Sequence, residues 1–168
     1  MCIRDSHSEV EKKFFVDIYT DWCKYCDKMD KTTLSDPKIV EFLNENYYSI
    51  HFNAEDKNEI IFNNKSYEPI KSFGKRPTHE LAIELMEGNL GYPTIVFVDE
   101  NLKIIQPLQG FQDVKTFKMI MSYFAGDFYK SMHWKPFVSD YDSGRISLET
   151  IRPSEMQPKV QTVGNSRR

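Results

Sequence analysis

The sequence predicts an α/β fold, a three-layer α/β/α sandwich around a central mixed four-stranded sheet. Three short segments, residues 14–19, 47–53 and 94–98, are rich in β-branched and aromatic side chains, as strands are. Helical segments separate these strands, and that alternation is typical of a sheet covered by helices. The 168 residues suffice for one domain with its own hydrophobic core.

The first half of the chain is predicted to form a strand, two helices and a second strand. Residues 14–19 are apolar around a single Asp, which predicts a strand buried on both faces. A helix is expected from Cys23 to about residue 31. A second helix begins at the run Ser35-Asp36-Pro37, which supplies a capping side chain and a Pro near the first helical position. Residues 47–53 form the next strand.

The second half is predicted to form a hairpin, a helix, a strand pair and a last helix. In chain order these are a hairpin of residues 60–62 and 66–70, a helix at 78–86, strands at 94–98 and 103–106, and a helix at 113–124. Beyond Gly126 we expect Trp134 and Phe137 to pack back onto the domain.

The composition excludes several classes of function. The net charge is −3 and the sequence pI is about 5.8, whereas nucleic-acid-binding proteins present a basic face. The chain has no run of about 18 apolar residues, so we expect no membrane span. Three cysteines cannot form a disulfide framework, so the C-x-x-C pair Cys23 and Cys26 is either redox-active or half of a metal site. We expect a monomer.

The C-x-x-C pair lies where a strand ends and a helix begins. The free backbone N–H groups and the helix dipole at that point lower the pKa of the Cys23 thiol, and Lys24 adds a positive charge. Cys26 follows one helical turn later, within reach of a disulfide. We expect an exposed attacking sulfur at Cys23 and a sheltered resolving sulfur at Cys26, with exchange through a mixed disulfide.

The alternative for this pair is a zinc half-site, which needs two further ligands. The sequence has no second cysteine pair, and its histidines are scattered: His7, His51, His79 and His133. We therefore favour redox chemistry and expect neither a metal nor a cofactor.

Asp17 is an acid inside the first predicted strand, on the same face as Phe15 and Tyr19. A buried, unpaired carboxylate costs several kcal/mol, so such placements often accompany acid–base function. Two interpretations stay open here. Asp17 either accepts the proton of Cys26 during exchange or lies at a solvated strand edge.

Pro93 stands just before a β-branched strand and also has two interpretations. It either marks the start of that strand or forms a cis-proline turn that faces the cysteines. In the second case the backbone of Tyr92 stays free to pair with an extended substrate.

These three motifs together resemble the thioredoxin superfamily over residues 14–125. Asp17 lies six residues before the first cysteine, Trp22 directly precedes it, and Gly91-Tyr92-Pro93-Thr94 is similar to the cis-proline loop. The resemblance implies an enzyme that reduces or isomerises protein disulfides. It implies catalytic roles for Cys23, Cys26 and Asp17, and substrate contacts for Trp22, Tyr92 and Pro93.

The run from Trp22 to Pro37 resembles exported thioredoxin-like proteins of Gram-negative bacteria. That subgroup implies a periplasmic or cell-envelope location, with the cytoplasm as the alternative, and a membrane disulfide reductase as electron donor. Residues 1–6 resemble translated sequencing-adaptor sequence, which indicates a lost native start and signal peptide. A sheet without the first strand of a full thioredoxin is then expected.

The chain departs from the family pattern in three places. The inner dipeptide is Lys24-Tyr25, which favours a role other than that of a strong oxidant. His51 takes the place of the lysine beside the buried acid, and residues 54–90 form a long insertion before the cis-proline loop. Two alternatives to the enzyme stay open: a non-catalytic binding module of thioredoxin fold and a metal-handling chaperone.

The predicted organisation has three parts. Residues 1–13 are a non-native start and the remnant of a first helix. Residues 14–140 form the domain, and the polar residues 141–168 form a flexible tail.

Overall fold

Eight strands and five helices make up the described part of the chain, which in this computed structural model is residues 12–70 and 76–151. The strands are β1 Lys13–Tyr19, β2 Tyr47–Asn53, β3 Ile60–Phe62, β4 Lys65–Tyr67, β5 Pro69–Ile70, β6 Thr78–His79, β7 Thr94–Val98 and β8 Ile104–Gln109. The helices are α1 Lys24–Thr32, α2 Pro37–Asn46, α3 Glu80–Leu85, α4 Val114–Ala125 and α5 Trp134–Asp142.

A four-stranded mixed sheet of order β2-β1-β7-β8 forms the middle layer. Strand β1 pairs parallel with β2 and antiparallel with β7, and β7 pairs antiparallel with β8. The predicted α/β sandwich with a mixed four-stranded sheet is therefore confirmed. Among the described helices none is both long and apolar enough to cross a membrane.

Hydrophobic cores lie on both faces of the sheet because alternate side chains of a strand point to opposite faces. Phe15 and Phe97 point to the face covered by α1, α2 and α4, where Phe117 and Phe124 complete a largely aromatic core. Val16, Ile18, Val96 and Val98 point to the other face, where they pack against residues of α3 and of β4, including Tyr67 and Leu85. Strand β1, covered on both faces, is the centre of the fold.

Local sequence signals explain where most helices begin. Asp36 caps α2 by accepting hydrogen bonds from the backbone N–H groups of Lys38 and Ile39, and Pro37 takes the first helical position. Asp113 caps α4 through the N–H of Thr116. These caps anchor two of the helices that cover the sheet.

The segment of residues 54–90 contains two small ladders instead of one hairpin. Strands β3 and β4 pair as predicted, but the predicted strand of residues 66–70 is divided at Glu68. Its second part, β5, pairs with β6, and the backbone N–H of His79 donates to the carbonyl of Ala54. His79 is fully buried and caps α3 by accepting from the N–H of Leu81.

Strand β8 continues three residues beyond its predicted end and includes Pro107. Proline removes a backbone donor and argues against a strand in a sequence pattern. Strand β8 lies at the edge of the sheet, where one side of the strand has no partner strand among the described residues, so a missing donor is tolerated.

The domain begins earlier than predicted, because Lys13 belongs to β1 and not to a helix remnant. Lys13 pairs with Tyr47 in the sheet and is buried. Its ammonium lies 2.7 Å from an oxygen of Glu100 and 3.0 Å from one of Asp127, and these two carboxylates compensate the buried charge. The remainder of the predicted start, residues 1–11, lies outside the described residues.

The predicted flexible tail also begins too early. Helix α5 runs through Asp142, a short 3₁₀ helix covers Leu148–Thr150, and Leu148 and Ile151 pack against the hydrophobic core under α2 and α4. Apolar side chains in a polar stretch therefore attach this segment to the domain. Residues 152–168 of the predicted tail lie outside the described residues.

Phe137 attaches α5 to the rest of the domain. Its side chain is fully buried, and its ring lies 4.9 Å from that of Tyr123 and 5.1 Å from that of Phe128. The packing predicted for Trp134 and Phe137 is thus found, although Trp134 remains partly exposed.

We predict that Phe137→Ala lowers the free energy of unfolding by about 3–4 kcal/mol, because it leaves a cavity in a fully buried aromatic cluster. Chemical denaturation followed by circular dichroism measures the change. Lys135→Ala, an exposed change in the same helix, serves as the control and should cost less than about 1 kcal/mol. Equal, small losses for both variants would show that α5 does not contribute to the stability of the domain.

Candidate active site

The two cysteines of the C-x-x-C motif form a disulfide at the start of α1, with their Cα atoms 5.2 Å apart. Cys23 is the N-cap of α1, and its Sγ accepts a hydrogen bond of 3.1 Å from the backbone N–H of Cys26. The N–H of Cys23 donates to the carbonyl of Thr20, which closes the turn between β1 and α1. A sulfur in this position faces the positive end of the helix.

The exposed attacking sulfur predicted at Cys23 is not found in the disulfide form. Cys23 is 6% exposed and Cys26 is 3% exposed, so both are buried. The disulfide is therefore poorly accessible from solvent.

Asp17 is buried in the central strand β1 and is only 3% exposed, which excludes the solvated strand edge. The register of β1 and β2 places it opposite His51, whose Nδ1 lies 2.9 Å from Oδ2 of Asp17. The His51 ring is half exposed and stacks on Tyr19, with ring centroids 3.9 Å apart. A buried acid thus has a partner that reaches solvent.

The hydrogen bond that His51 donates to Asp17 raises the pKa of His51 above its ordinary value, and the negative charges of Asp17 and Asp30 act in the same direction. Partial burial of the ring opposes this rise. Burial raises the pKa of Asp30, and the nearby charge of Asp17 raises it further. The charge of Asp17 thus raises the pKa of both His51 and Asp30.

Asp17, Asp30 and His51 line an open cleft of about 370 Å³ beside β2. Their donor atoms lie within 4.8 Å of one another, which is close enough for three ligands of one metal ion. The ion pair between Asp17 and His51 accounts for the proximity of those two groups, and acidic groups close together are common without a metal, so the arrangement alone assigns no metal site.

The turn of residues 91–93, just before β7, contacts the turn between β1 and α1 through two aromatic rings. We refer to the turn between β1 and α1 as the active-site turn. Trp22 is 51% exposed, and its ring contacts that of Tyr92 edge-on at 5.8 Å. The peptide bond between Tyr92 and Pro93 is cis, and the hydroxyl of Thr94 donates to the carbonyl of Gly91. Two of the residues predicted to contact substrate, Trp22 and Tyr92, are thus in contact with each other, and Trp22 directly precedes Cys23.

Two further residues at this site were not predicted from the sequence. The indole N–H of Trp22 donates to Glu55 over 2.9 Å, and the guanidinium of Arg76 lies 5.5 Å from the centre of the Trp22 ring. One general rule of sheet topology could have identified Glu55. Parallel strands end at the same edge of a sheet, so the residues after β2 lie beside the turn after β1. No comparable signal pointed to Arg76.

This sheet topology, with a disulfide at the first turn of the helix after β1, defines a protein of thioredoxin fold. The chain belongs to the thioredoxin-like domain family, whose model matches residues 6–125. No curated protein matches the chain.

Several solved structures are similar to this chain at low sequence identity. A thioredoxin-fold protein from Helicobacter pylori is 16% identical with a TM-score of 0.56, over 77% of this chain and 79% of that one. A thioredoxin from Thermus thermophilus is 18% identical with a TM-score of 0.46, over 66% and 71%. The oxidised C-terminal domain of DsbD from Neisseria meningitidis is 20% identical with a TM-score of 0.42, over 73% and 82%. The likeness to the Helicobacter pylori protein, at 16% identity, shows the fold alone.

We predict that Asp17→Asn lowers the pKa of His51 toward the ordinary value of about 6.5, because the bond to Asp17 is the main cause of the rise. An NMR titration of the His51 ring measures it. Asp30→Asn is the control and should change the pKa less. An unchanged His51 pKa in Asp17→Asn would contradict the assigned ion pair.

The same shift predicts a pH dependence of stability. Because the pKa of His51 is higher in the folded than in the unfolded protein, the ion pair stabilises the fold fully below about pH 6.5. This stabilisation disappears as the pH rises through the folded-state pKa. Urea denaturation of wild type and His51→Gln at pH 5.5 and 8.5 measures it, and a difference between the two proteins that does not shrink at pH 8.5 would contradict it.

Proposed function

We propose that this protein is a thiol–disulfide oxidoreductase that reduces or isomerises protein disulfides through the Cys23–Cys26 couple. The observation that supports this most directly is the position of Cys23 as N-cap of α1, with Cys26 one turn later at disulfide distance. The Cys26 N–H that donates to the Cys23 sulfur also stabilises a thiolate at that atom.

The reaction begins with the reduced dithiol. The Cys23 thiolate attacks one sulfur of a substrate disulfide, and a mixed disulfide forms while the other substrate sulfur leaves and takes up a proton. The Cys26 thiol then loses its proton and attacks the Cys23 sulfur, which releases the second substrate sulfur as a thiolate that takes up a proton from solvent. Two electrons pass from the protein to the substrate, and the Cys23–Cys26 disulfide seen in the structure is the product.

We assign to Asp17 the acceptance of the proton that Cys26 loses. Its carboxylate is buried in the strand that leads to the cysteines, where water is scarce. The half-exposed His51, 2.9 Å away, offers that proton a route to solvent. This pair supports acid–base function in place of the lysine that the family resemblance leads one to expect.

We assign the substrate contacts to the edge of the active-site turn. The exposed ring of Trp22 and the backbone of Tyr92 beside Pro93 can receive an extended polypeptide. Protein disulfides are accordingly the proposed substrates. The membrane disulfide reductase as electron donor and the periplasmic or envelope location stay predictions from the resemblance.

A second candidate function is a binding module with an inert disulfide. The burial of both Cys23 and Cys26 favours it, because a buried disulfide exchanges slowly. The two candidates differ in whether the cysteines turn over.

We predict that Cys23→Ser abolishes the reduction of insulin disulfides, because the attacking sulfur is lost. Cys26→Ser should accumulate mixed disulfides with substrate, because the resolving sulfur is lost. Turbidity of reduced insulin measures the first effect, and non-reducing electrophoresis measures the second.

Cys2→Ser is the control, since Cys2 lies outside the motif, and this variant should keep wild-type activity. Full activity of Cys23→Ser would show that the assignment is wrong.

A further inference from the structure

A carboxylate and a guanidinium from residues 54–90 hold the exposed Trp22 side chain beside Cys23. Oε1 of Glu55 accepts the indole N–H at 2.9 Å, and the Arg76 guanidinium lies over the ring at 5.5 Å. Nη1 of Arg76 lies 3.7 Å from the other oxygen of Glu55. The edge-on contact with Tyr92 fixes the ring from a further direction. A half-exposed tryptophan is thus held by three neighbours.

The backbone around Glu55 is attached to the active-site turn. The N–H of Ala54 donates to the carbonyl of Tyr19 at 2.8 Å, and the side chain of Asn53 donates to Asp21 at 3.0 Å. The N–H of Glu55 itself donates to the Asn53 side chain. The Glu55 carboxylate is therefore placed by the same strand ends that place Cys23.

Arg76 is placed by the strand that follows it. His79, three residues later in β6, donates its N–H to the carbonyl of Ala54 at 2.7 Å. The Arg76 side chain is 63% exposed, whereas that of Glu55 is 18% exposed. The Arg76 guanidinium therefore shields one side of the Trp22 ring from solvent, and it remains accessible to a docked polypeptide.

We propose that Glu55 and Arg76 are positioning residues that hold Trp22 as a fixed docking platform for the polypeptide around a substrate disulfide. This inference rests on the proposed function. An ordered ring loses no side-chain freedom when a substrate binds, so holding it in place favours binding more than the exchange step. A small disulfide reaches Cys23 without covering the platform, so its rate does not depend on these residues.

Glu55→Ala and Glu55→Gln test the proposal in a Trp134→Phe protein, where Trp22 is the single tryptophan. Glu55→Ala should raise KM for a disulfide-bonded peptide about fivefold, the effect of one side-chain hydrogen bond, with kcat nearly unchanged. The fluorescence anisotropy of Trp22 should fall, while the reaction with the small disulfide 5,5′-dithiobis(2-nitrobenzoate) keeps its rate.

Glu55→Gln is the matched control, because its amide oxygen can still accept the indole N–H. Its KM should stay within about twofold of the parent value. Arg76→Ala should raise KM for the peptide about two- to threefold, as expected for an exposed cation–π contact.

Several results would overturn the proposal. Unchanged anisotropy in Glu55→Ala would show that Glu55 does not hold Trp22, and unchanged KM with a loosened ring would show that the platform does not bind substrate. A parallel loss of rate with peptide and small disulfide would place the effect at the cysteines. If Trp134→Phe is inactive while the wild type is active, the kinetic comparison is made with Glu55→Ala in the wild-type background, where an unchanged KM for the peptide would overturn the proposal. An inactive wild type would refute the proposed function itself.

Discussion

The site depends on one constraint, which is that α1 begins just after the central strand β1 in the chain. Strand β1 is covered on both faces, so its direction and end are fixed by two hydrophobic cores. The chain leaves it through one turn, and Cys23 becomes the N-cap that accepts the Cys26 N–H at 3.1 Å. Free N–H groups at a helix start favour a negatively charged sulfur at this position. Packing thus determines where the chemistry can occur.

In the proposed reaction, one group of residues near this junction takes up the proton and another contacts the substrate. On the face under α1, Asp17 and His51 join a buried carboxylate to a half-exposed imidazole. At the end of the sheet, Trp22 meets Tyr92 and is held by Glu55. Both arrangements depend on the parallel pairing of β1 with β2, which sets Asp17 opposite His51 and brings the end of β2 to the active-site turn.

Local patterns predicted most of the fold, because β-branching, helix caps and the C-x-x-C spacing act within a few residues. The bounds of β2 and β7 match the prediction for this reason. Contacts between residues that are distant in the chain could not be predicted from these local patterns. Lys13 looked like the polar end of a helix, yet it is buried because Glu100 and Asp127, distant in sequence, neutralise it. The spacing of Cys23 and Cys26 predicted that they could form a disulfide, whereas the contacts of Glu55 and Arg76 with Trp22 depend on tertiary placement.

The reduction potential of the Cys23–Cys26 couple tests the central claim most directly. Equilibration of the protein with defined glutathione mixtures, read by thiol alkylation, measures it. A couple that cycles at a helix start should have a potential above about −300 mV and nearer −270 mV than −120 mV, the values of a reducing thioredoxin and of a strong oxidant. A potential below about −300 mV, typical of structural disulfides, would contradict the account and favour the inert binding module.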